Sequence, residues 1–557
     1  MSGFSGFCGL GEEWQCGFFG EVAQRDVNGK SFAVAFSGEL YGESGNAAEA
    51  ILNGFITNGT SFIDRLNGAF AIVIWDSEKL YLYRDRAGIK RLFYAHNNVF
   101  VFSTELTELI KFPGMAPQID AEGLAELFAI GPARTPGSGV LKGVKEVLPG
   151  GYVTFTRAEL ETGKYWDVIS APHTHTYKQT LENTRYLLTN AVNQRMGGNV
   201  CSMLSGGLDS SIISAIAQNE LKSTGKTLST FSFDFIGNNE HFKGSAFQPD
   251  QDAPWAFKTA EFIGTNHTAL ECGVNDFAGL LFNTVDARGL PGMADVDSSL
   301  LYFLSRVSET HQAALTGECA DELFGGYPWF HNTEPSLFFP WSKDMDARKA
   351  LLSDDFLNQI NLDAHAQKRY AEAIAQTPLL HGETTEQTQQ RQISYLNLKH
   401  FMDVLCERLA RTSQAVGILP RAPFSDHRLI EYIWNVPWEM KYRGGIVKSL
   451  LRESFRGILP DDILFRRKSP FPKSYNPKYE QLLTEMLNDV LNSNAPIMGI
   501  ICKEKARRFM QTRKDLGRPW FGQLMAGPQM MAYILQVNYW LDKYNISLRA
   551  YPTIIAK

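Results

Sequence analysis

The chain has 557 residues, of which 44% are hydrophobic and 20% charged, a balance typical of folded proteins and long enough for two or more domains. Its formal net charge of −6 argues against a nucleic-acid or anionic-membrane partner. Neither a bilayer-spanning apolar run nor a signal-peptide pattern is visible in the sequence, so we expect a cytoplasmic protein. The seven cysteines are odd in number and include no CxxC pair, which predicts free thiols in a reducing compartment.

The first part of the chain predicts a sheet-rich α+β domain. Five segments rich in β-branched and aromatic residues have the composition of strands, at 31–41, 69–75, 79–85, 91–96 and 98–104. Residues 46–59 predict a helix, because their apolar side chains recur at spacings of three and four. A loop dense in Pro and Gly follows at 131–139, and residues 147–167 predict a hairpin that leads out of the domain.

The pattern changes near residue 176. An amphipathic helix at 177–196 precedes an apolar strand at 200–204, and a helix at 212–221 then leads to a strand at 228–235. Strand, glycine-rich turn, helix and strand form a βαβ unit, which predicts a parallel sheet. The remainder of the chain is predicted to be mostly helical.

The turn LSGGLDSS separates the predicted strand from the helix that follows it. Gly206 and Gly207 allow the backbone to approach a ligand closely, and the serines of the turn add hydroxyl donors. The free N–H groups at the start of the helix point to the same place. Asp209 suits an anion site where Mg²⁺ bridges its carboxylate to phosphate oxygens. The pattern predicts a phosphate-binding loop, with a plain strand-to-helix turn as the alternative.

Two later segments carry charged residues suited to phosphate chemistry. In LTGECADELFGGYPWF, Glu318, Asp321 and Glu322 are crowded together, and packed carboxylates repel unless a cation or an acid–base role accommodates them. Asp321 is a candidate second Mg²⁺ ligand, although a solvated acidic helix start explains the same pattern. In FRRKSPFPK, Lys468 is a candidate for neutralising charge that develops on a phosphate, with a solvated basic loop as the alternative.

Over nearly its whole length the sequence resembles the class B asparagine synthetase family, whose relatives include β-lactam synthetases and lasso-peptide cyclases. The segments SGGLDSS, GECADELFGGY, KSLLRESFRGILP, RRKSPFP and PWFGQLMAGPQM resemble the family's synthetase domain, and RDRAGIKRLFY resembles its glutaminase domain. The resemblance implies an α+β, Ntn-glutaminase-like domain at 1–170. It also implies an α/β PP-loop (ATP pyrophosphatase, Rossmann-like) synthetase domain at 171–557, with a helical C-terminal region.

The resemblance further implies a reaction, its cofactors ATP and Mg²⁺, and a possible homodimer. A carboxylate attacks the α-phosphate of ATP, pyrophosphate leaves, and an amine displaces AMP from the acyl-AMP. Glu318 corresponds to a glutamate that works on the acyl-adenylate, Lys468 to a lysine that stabilises the pentavalent phosphorus, and Asp209 and Asp321 to Mg²⁺ ligands. The residues that correspond to the ATP site are Leu204, Ser205, Gly206, Gly207, Leu208, Asp209, Ser210, Ser211, Phe233 and Gly317.

The glutaminase domain departs from the family at the residues that process glutamine. Ser2 stands where the family has a nucleophilic cysteine, and a serine hydroxyl is far less nucleophilic at neutral pH. Ser37, followed by Gly38, replaces an asparagine of the oxyanion hole, and Ala47 replaces the aspartate that grips the glutamine amine. Such features act as a unit, so we expect a vestigial glutaminase site. Cys8 offers another nucleophile only if seven residues are removed.

The synthetase domain departs in one segment, where Ala410 and Leu419 replace acids that are usual in the family. The first hypothesis is an ATP-dependent amide ligase that activates aspartate, an analogue or a peptide carboxylate and amidates it with ammonia or another amine. Glu318 favours this hypothesis, since β-lactam-forming relatives carry a tyrosine there. The alternatives are an intramolecular lactam-forming or peptide-modifying cyclase, favoured by loss of the glutaminase, and an inactive nucleotide-binding paralogue.

Overall fold

The computed structural model describes residues 3–10, 14–43, 45–242, 250–331, 336–512, 516 and 519–548. The chain divides into two compact units. Among the described residues, unit 1 consists of those within 3–126, 134–168 and 544–548, and unit 2 consists of those within 127–133 and 169–543. Across the described ranges, every helix is too short or too polar to cross a membrane.

The strands and helices are numbered in chain order. The strands are β1 Ser5–Leu10, β2 Trp14–Phe19, β3 Val22–Val27, β4 Lys30–Leu40, β5 Gly68–Trp75, β6 Leu80–Arg84, β7 Phe93–His96, β8 Val99–Ser103, β9 Gln118–Ile119, β10 Val144–Glu146, β11 Gly151–Phe155, β12 Leu160–Lys164, β13 Val200–Met203, β14 Ser229–Phe235, β15 Asn266–Cys272, β16 Ala313–Leu315, β17 Leu419–Arg421 and β18 Ser547–Leu548. The helices are α1 Ala47–Asn58, α2 Leu106–Leu109, α3 Ala121–Ala125, α4 Tyr177–Asn193, α5 Leu208–Lys222, α6 Asn238–His241, α7 Ala253–Ile263, α8 Val274–Gly279, α9 Leu281–Arg288, α10 Asp295–Ser308, α11 Ala320–Phe324, α12 Met345–Lys349, α13 Asp354–Gln359, α14 Leu362–Ala375, α15 Thr385–Leu396, α16 Met402–Ala415, α17 His427–Trp434, α18 Trp438–Lys441, α19 Ser449–Ser454, α20 Asp461–Leu464, α21 Pro477–Leu491, α22 Lys503–Thr512 and α23 Gly527–Lys543.

Unit 1 is built from two antiparallel sheets and one covering helix. The first sheet has the order β10-β7-β8-β1-β2, and the second has the order β12-β11-β6-β5-β4-β3. Apolar side chains from both sheets form one core, in which Phe102 and Val73 are buried. The opposite face of the second sheet is covered by α1, whose Ile51 and Leu52 are fully buried there. The burial of alternating strand residues on both faces explains why these segments are so rich in apolar side chains.

The five predicted strands and the first predicted helix are confirmed as β4 to β8 and α1. Five cysteines are free thiols as predicted, whereas Cys8 and Cys16 have their sulfur atoms in contact, so the prediction stays untested for these two. They lie directly opposite each other in β1 and β2, with Cα atoms 4.3 Å apart. The sequence analysis predicted no strand before residue 31, so it missed the pairing that brings the two sulfur atoms together.

The segment RDRAGIKRLFY forms a buried, hydrogen-bonded loop in unit 1. The Arg84 guanidinium is fully buried and donates to the backbone carbonyls of Gly88, Lys90 and Val147. The Asp85 carboxylate accepts from the backbone N–H groups that surround it, including that of Lys90 at 2.8 Å. The two charged side chains therefore satisfy backbone groups that a buried loop would otherwise leave without partners.

Unit 2 contains a five-stranded parallel sheet with the order β15-β14-β13-β16-β17. The chain enters at β13, proceeds outwards through β14 and β15, and then returns to the other side of β13 with β16. In an open α/β sheet, ligands bind beyond the carboxyl ends of the strands where the order reverses. The reversal lies between β13 and β16, and the two predicted phosphate-binding segments follow these two strands. The predicted parallel sheet and helical C-terminal region are confirmed.

Candidate active site

The glycine-rich turn between β13 and α5 has the geometry of a phosphate-binding loop. Gly206 has a φ of 69°, and a Cβ there would overlap the backbone of Trp255 and Ala256. The Ser210 hydroxyl accepts from the backbone N–H of Ser205 at 3.2 Å and donates to the carbonyl of Gly207 at 3.2 Å, which holds the turn together. In the described residues no side chain caps α5, so the N–H groups of its first turn remain for a ligand.

The segment after β16 lies against this loop. A Cβ on Gly317 would be 3.0 Å from the Cβ of Asp209 and 3.1 Å from the backbone nitrogen of Ser210, so a side chain at Gly317 would crowd both residues. The short helix α11 then carries Asp321 toward Asp209. The strand order at the switch point explains this proximity, because β13 and β16 are hydrogen-bonded neighbours.

A buried lysine, Lys448, joins the two predicted magnesium ligands. Its ammonium lies 2.7 Å from Oδ2 of Asp209 and 2.5 Å from Oδ1 of Asp321, and its side chain is 4% exposed. Asp321 also pairs with Lys468 through its other oxygen. Burial tends to lower the pKa of Lys448, but the two carboxylates outweigh it and raise that pKa. Lys448 is therefore held as a cation.

The two aspartates differ in their electrostatic surroundings. Burial raises the pKa of Asp209, and the neighbouring charge of Asp321 adds to this effect, whereas Lys448 opposes it. For Asp321, burial is outweighed by Lys448 and Lys468, which hold its pKa below the ordinary range. Asp321 is therefore ionised at neutral pH because two ammonium groups touch it.

Glu318 and Glu322 point to different partners. The Glu318 carboxylate pairs with the Arg408 guanidinium at 2.7 Å and is 23% exposed. Glu322 is buried, and burial together with the charge of Asp321 raises its pKa to about 8. Its Oε1 accepts from the Tyr327 hydroxyl at 2.5 Å. Glu318 is thus the acid that remains open to the cavity, and Glu322 is the acid kept protonated near neutral pH.

The opposite wall of the cavity is apolar and aromatic. Leu204 is 1% exposed, and the Phe233 ring is stacked on Phe471 with centroids 6.0 Å apart. Apolar side chains with a flat ring suit a planar base, whereas the loop and the charged residues suit phosphates. A cavity with one apolar, aromatic side and one charged side fits a nucleotide, which has a planar base and phosphates.

These walls enclose a cavity of about 250 Å³ in unit 2. Most of the predicted synthetase residues line it: Leu204, Ser205, Gly207, Leu208, Asp209, Ser210, Phe233, Gly317, Glu318, Asp321 and Lys468. Of the predicted set, Gly206 and Ser211 do not line it. Gly206 acts through its backbone conformation, and the Ser211 hydroxyl is buried without a hydrogen-bond partner among the described residues.

The cavity is electropositive overall. With Glu322 protonated, four carboxylates face it, those of Asp209, Asp252, Glu318 and Asp321, and they are outnumbered by the five cations Arg408, Lys448, Arg452, Arg466 and Lys468. Arg466 pairs with Asp252 at 2.6 Å and donates to the carbonyl of Ser205 at 3.3 Å, which fixes one side of the loop. Such a site attracts a polyanion such as a triphosphate.

The donor set fits a magnesium ion shared with phosphates. Oδ1 of Asp209 is buried and accepts no hydrogen bond from the described residues. Mg²⁺ commonly takes one or two carboxylates and completes its shell with phosphate oxygens and water. No group of three or more potential metal-ligating side chains occurs in the described part of the chain, so a metal held by protein alone does not fit there.

The predicted vestigial glutaminase site lies in unit 1, except that Ser2 falls outside the described residues. The Ser37 hydroxyl on β4 is buried and has no hydrogen-bond partner in the described structure. Gly38 has a φ of 137° and packs against the carbonyl of Ala69. Asn46 caps α1 by accepting from the Glu49 N–H at 3.2 Å, and Ala47 begins that helix. Ala47 has no polar atom with which to hold an amine.

The sequence analysis missed four cations of the cavity: Arg408, Lys448, Arg452 and Arg466. Lys448 lies within KSLLRESFRGILP, which was recognised as a motif but given no role. Its partner Asp209 is 239 residues away, so spacing alone does not connect them. The available signal was the crowding of acids in GECADEL, because buried carboxylates require counter-charges from elsewhere in the chain.

A parallel sheet of this order, with a glycine-rich loop and an electropositive cavity at its switch point, defines a nucleotide-dependent enzyme of the α/β class. The Asparagine synthase family model matches residues 183–542, and the Glutamine amidotransferase domain model matches residues 34–166.

Individual relatives agree with these matches. The chain is 39% identical to asparagine synthetase [glutamine-hydrolyzing] 3 of Bacillus subtilis, over 93% of this chain and 88% of that protein. It is 24% identical to asparagine synthetase [glutamine-hydrolyzing] 1 of the same organism, over 84% of this chain and 79% of that protein. It is 27% identical to the asparagine synthetase of Rattus norvegicus, over 82% of this chain and 71% of that protein. The chain belongs to the asparagine synthase family. It is an ATP-dependent carbon–nitrogen ligase that forms AMP and pyrophosphate.

Proposed function

We propose that this enzyme activates aspartate or a close analogue as an acyl-AMP and amidates it with free ammonia or a small amine, without hydrolysing glutamine itself. The observation that carries the proposal is the cluster of Asp209, Asp321, Lys448 and Lys468 beneath the N-terminus of α5. It gathers the charges needed to hold a triphosphate and to stabilise charge on phosphorus.

In the proposed first step, a carboxylate oxygen of the substrate attacks the α-phosphorus of ATP and the bond to pyrophosphate breaks. The N–H groups of α5 bind phosphate oxygens, and Lys468 neutralises the charge that develops on phosphorus. Asp209 and Asp321 would hold Mg²⁺, which supplies charge neutralisation between the phosphates when bound. For Asp321 this requires Lys448 or Lys468 to release one of its oxygens, since both ammonium groups contact it here.

In the proposed second step, the amine nitrogen attacks the acyl carbon, AMP leaves, and a proton is lost from the nitrogen. Glu318 is the proposed acceptor of that proton, because its carboxylate lines the cavity while Arg408 keeps it in position. The neighbouring Glu322 is a poor candidate, because it is protonated near neutral pH and bound to Tyr327.

The B. subtilis relatives are named as glutamine-hydrolyzing enzymes, whereas we propose free ammonia or a small amine as the nitrogen source of this chain. Three positions support the departure. Ser2 replaces a cysteine nucleophile, Ser37 offers a hydroxyl in place of an amide donor, and Ala47 offers no polar atom. Loss of the oxyanion donor alone typically lowers a rate by about 100- to 1000-fold.

The test supplies purified enzyme with Mg-ATP, aspartate and either ¹⁵N-ammonium or amide-¹⁵N-glutamine, and follows labelled asparagine by mass spectrometry. We expect label from ammonium and none from glutamine. Lys468→Met should abolish product formation, because it removes the ammonium group that contacts Asp321 and is proposed to neutralise charge on the phosphate. Lys473→Met is the matched control in the same loop, since the Lys473 ammonium lies over the Tyr475 ring and does not line the cavity.

Each other outcome removes a definite part of the proposal. Label from glutamine would show that the N-terminal site is active and that the proposed nitrogen source is wrong. Absence of asparagine from both donors would exclude aspartate as the substrate. It would favour a dedicated substrate that carries its own amine, provided that pyrophosphate is released when that substrate is supplied.

A further inference from the structure

A second cavity of about 220 Å³ lies in unit 2 and shares no lining residue with the nucleotide cavity. We name it the α15–α18 cavity, because residues of α15, the end of α17 and α18 form about half of its wall, and the loops that precede α4, α15 and α18 form the rest. The lining residues used below are His173, Glu383, Gln390, Arg391, Trp434 and Lys441. Its volume is far larger than that needed by one water molecule and is sufficient for a small organic molecule.

The α15–α18 cavity contains a buried ammonium without a counter-ion. Lys441 is 5% exposed, and the structure shows no hydrogen bond or ion pair from its ammonium to any described residue. Burial, together with the positive charge of Arg391, lowers the pKa of Lys441 to about 7. An unpaired buried charge is costly, so a lysine kept at such a position indicates an anionic partner.

The other charged groups of the cavity are already occupied. Arg391 pairs with Glu383, donating to it at 2.6 Å, and its guanidinium lies 5.3 Å from the centroid of the Trp434 ring. The Nε2 atom of His173 is 2.8 Å from the Thr180 hydroxyl, and burial lowers the pKa of His173, so this ring is neutral at pH 7. Glu439, at the rim, is exposed. One positive charge, that of Lys441, is therefore left uncompensated.

A second donor in the same wall also lacks a partner. Gln390 is 8% exposed, and its buried Nε2 makes no hydrogen bond within the described structure. Two donors, one of them an ammonium without a counter-ion, match a carboxylate, which has two acceptor oxygens and a single negative charge, better than a phosphate dianion. The indole rings of Trp434 and Trp438, together with Val436, supply apolar surface for an organic body.

We propose that the α15–α18 cavity binds a small organic carboxylate, with the Lys441 ammonium and the Gln390 amide as its donors and the two tryptophans as its apolar walls. The site is independent of the proposed catalytic function, because none of its lining residues takes part in that reaction. Lys441 of this cavity is nevertheless close to Lys448 in the sequence, and the Ser449 hydroxyl donates to the carbonyl of Lys441 at 2.9 Å.

Titration calorimetry with full-length enzyme, without ATP, tests the proposal with benzoate, acetate and inorganic phosphate as probes. We expect benzoate to bind more tightly than acetate, and any binding of phosphate, which the nucleotide cavity also attracts, to be the same in the wild type and Lys441→Met. Lys441→Met should weaken the binding of benzoate by about 10- to 100-fold, because a charge-assisted hydrogen bond is lost. The control is Lys368→Met, which removes an exposed ammonium that lies outside the cavity and should leave binding unchanged.

Two further measurements keep the proposal falsifiable if Lys441→Met alters folding. Without ligand this variant should melt at a higher temperature than the wild type, because it removes an unpaired buried charge. In the wild type, benzoate should slow acylation of Lys441 by acetic anhydride, measured by peptide mass spectrometry, and leave Lys368 unaffected. Equal benzoate binding by wild type and Lys441→Met, or no binding by any probe, would overturn the proposal. Binding of phosphate that Lys441→Met abolishes, without binding of benzoate or acetate, would overturn the carboxylate assignment.

Discussion

Lys448 lies between Asp209 and Asp321, and its ammonium allows the two carboxylates to ionise side by side in a buried position. Without it, the charge of each aspartate would raise the pKa of the other. The pairing also sets a limit on what the aspartates can bind, since a cation that enters must share or displace the ammonium. Lys448 is therefore as central to this cavity as the two aspartates that it contacts.

Lys448→Met should be strongly destabilising, because it leaves buried carboxylates with fewer counter-charges. Breaking a buried ion pair by removing one partner typically costs about 3–5 kcal/mol. Urea denaturation followed by circular dichroism measures the loss. The matched control is Lys368→Met, which removes an exposed ammonium 3.9 Å from Glu372 and should change stability by less than about 1 kcal/mol. Equal stability of the two variants would show that the Lys448 ion pairs contribute little.

The raised pKa of Glu322 predicts how the stability of the fold depends on pH. Its pKa rises from 4.5 to about 8 on folding, so between these values the folded chain holds a proton that the unfolded chain has released. Stability therefore decreases as pH rises from about 5 to 8, by about 1.4 kcal/mol per unit at most, and this contribution levels off above pH 8.

Glu322→Gln removes this titration and retains the shape of the side chain. We expect the variant and the wild type to have similar stability near pH 5, and the variant to be the more stable of the two above pH 8. Thermal unfolding over a pH series measures the difference. Parallel curves for the two proteins would show that Glu322 does not hold a proton in the folded state.

At the scale of the element, the turn between β13 and α5 depends on one glycine. Gly206→Ala places a Cβ at positive φ and against the backbone of Trp255 and Ala256. Gly225 provides a matched control, because it has a φ of 71° but nothing within 4 Å of its Cβ position. Backbone strain alone costs about 1–2 kcal/mol, so Gly225→Ala should lose about that much stability and keep its affinity for ATP.

Gly206→Ala should lose more stability than the control. It should also weaken the binding of ATP by about tenfold or more, because the loop must shift to relieve the overlap. Fluorescence titration with ATP and urea denaturation measure the two effects. If both variants bind ATP equally well, the close approach of Gly206 to the next helix is not needed for binding.

The elements that sequence predicts well are those with a strong local pattern. Helix α4 has an amphipathic repeat and a capping box at Thr176, and β13 is a short apolar run before a glycine-rich turn. Strands β1 to β3 were missed, because glycine, cysteine and phenylalanine in β1 and β2 do not alternate with polar residues. Their pairing, and with it the approach of Cys8 to Cys16, follows from contacts with β8 and β4 that the local sequence does not contain.

At the scale of the whole molecule, the candidate site is assembled from distant parts of the chain. Motifs in the sequence identified the loop at 204–211, the acids of 318–322 and Lys468, because each has a local signature. Arg408 has no such signature, and Lys448 lies in a recognised motif that did not assign it a role. Only the strand order of the parallel sheet and the packing of later helices bring them to the cavity. A sequence motif thus predicts which residues bind phosphate, whereas the counter-charges require the fold.

Mg-ATP should stabilise the enzyme as a whole, since a ligand that binds only the folded state shifts the unfolding equilibrium. At 100 times its dissociation constant, a ligand contributes about 2.7 kcal/mol. Hydrogen exchange should show which segments the ligand stabilises. We expect slower exchange at 204–211 and 315–322, and little change in α14, which contributes no residue to the cavity.

Asp321→Asn separates nucleotide binding from nonspecific stabilisation by salt. It keeps the size of the side chain, but it removes the charge that holds Lys448 and Lys468 and the proposed metal. We expect the variant to show a much smaller Mg-ATP shift in melting temperature than the wild type, and an unchanged response to the same ionic strength of NaCl. An equal Mg-ATP shift in both proteins would place the nucleotide outside this cavity. The assignment of the cavity as the ATP site would then be wrong, whereas the family assignment would stand.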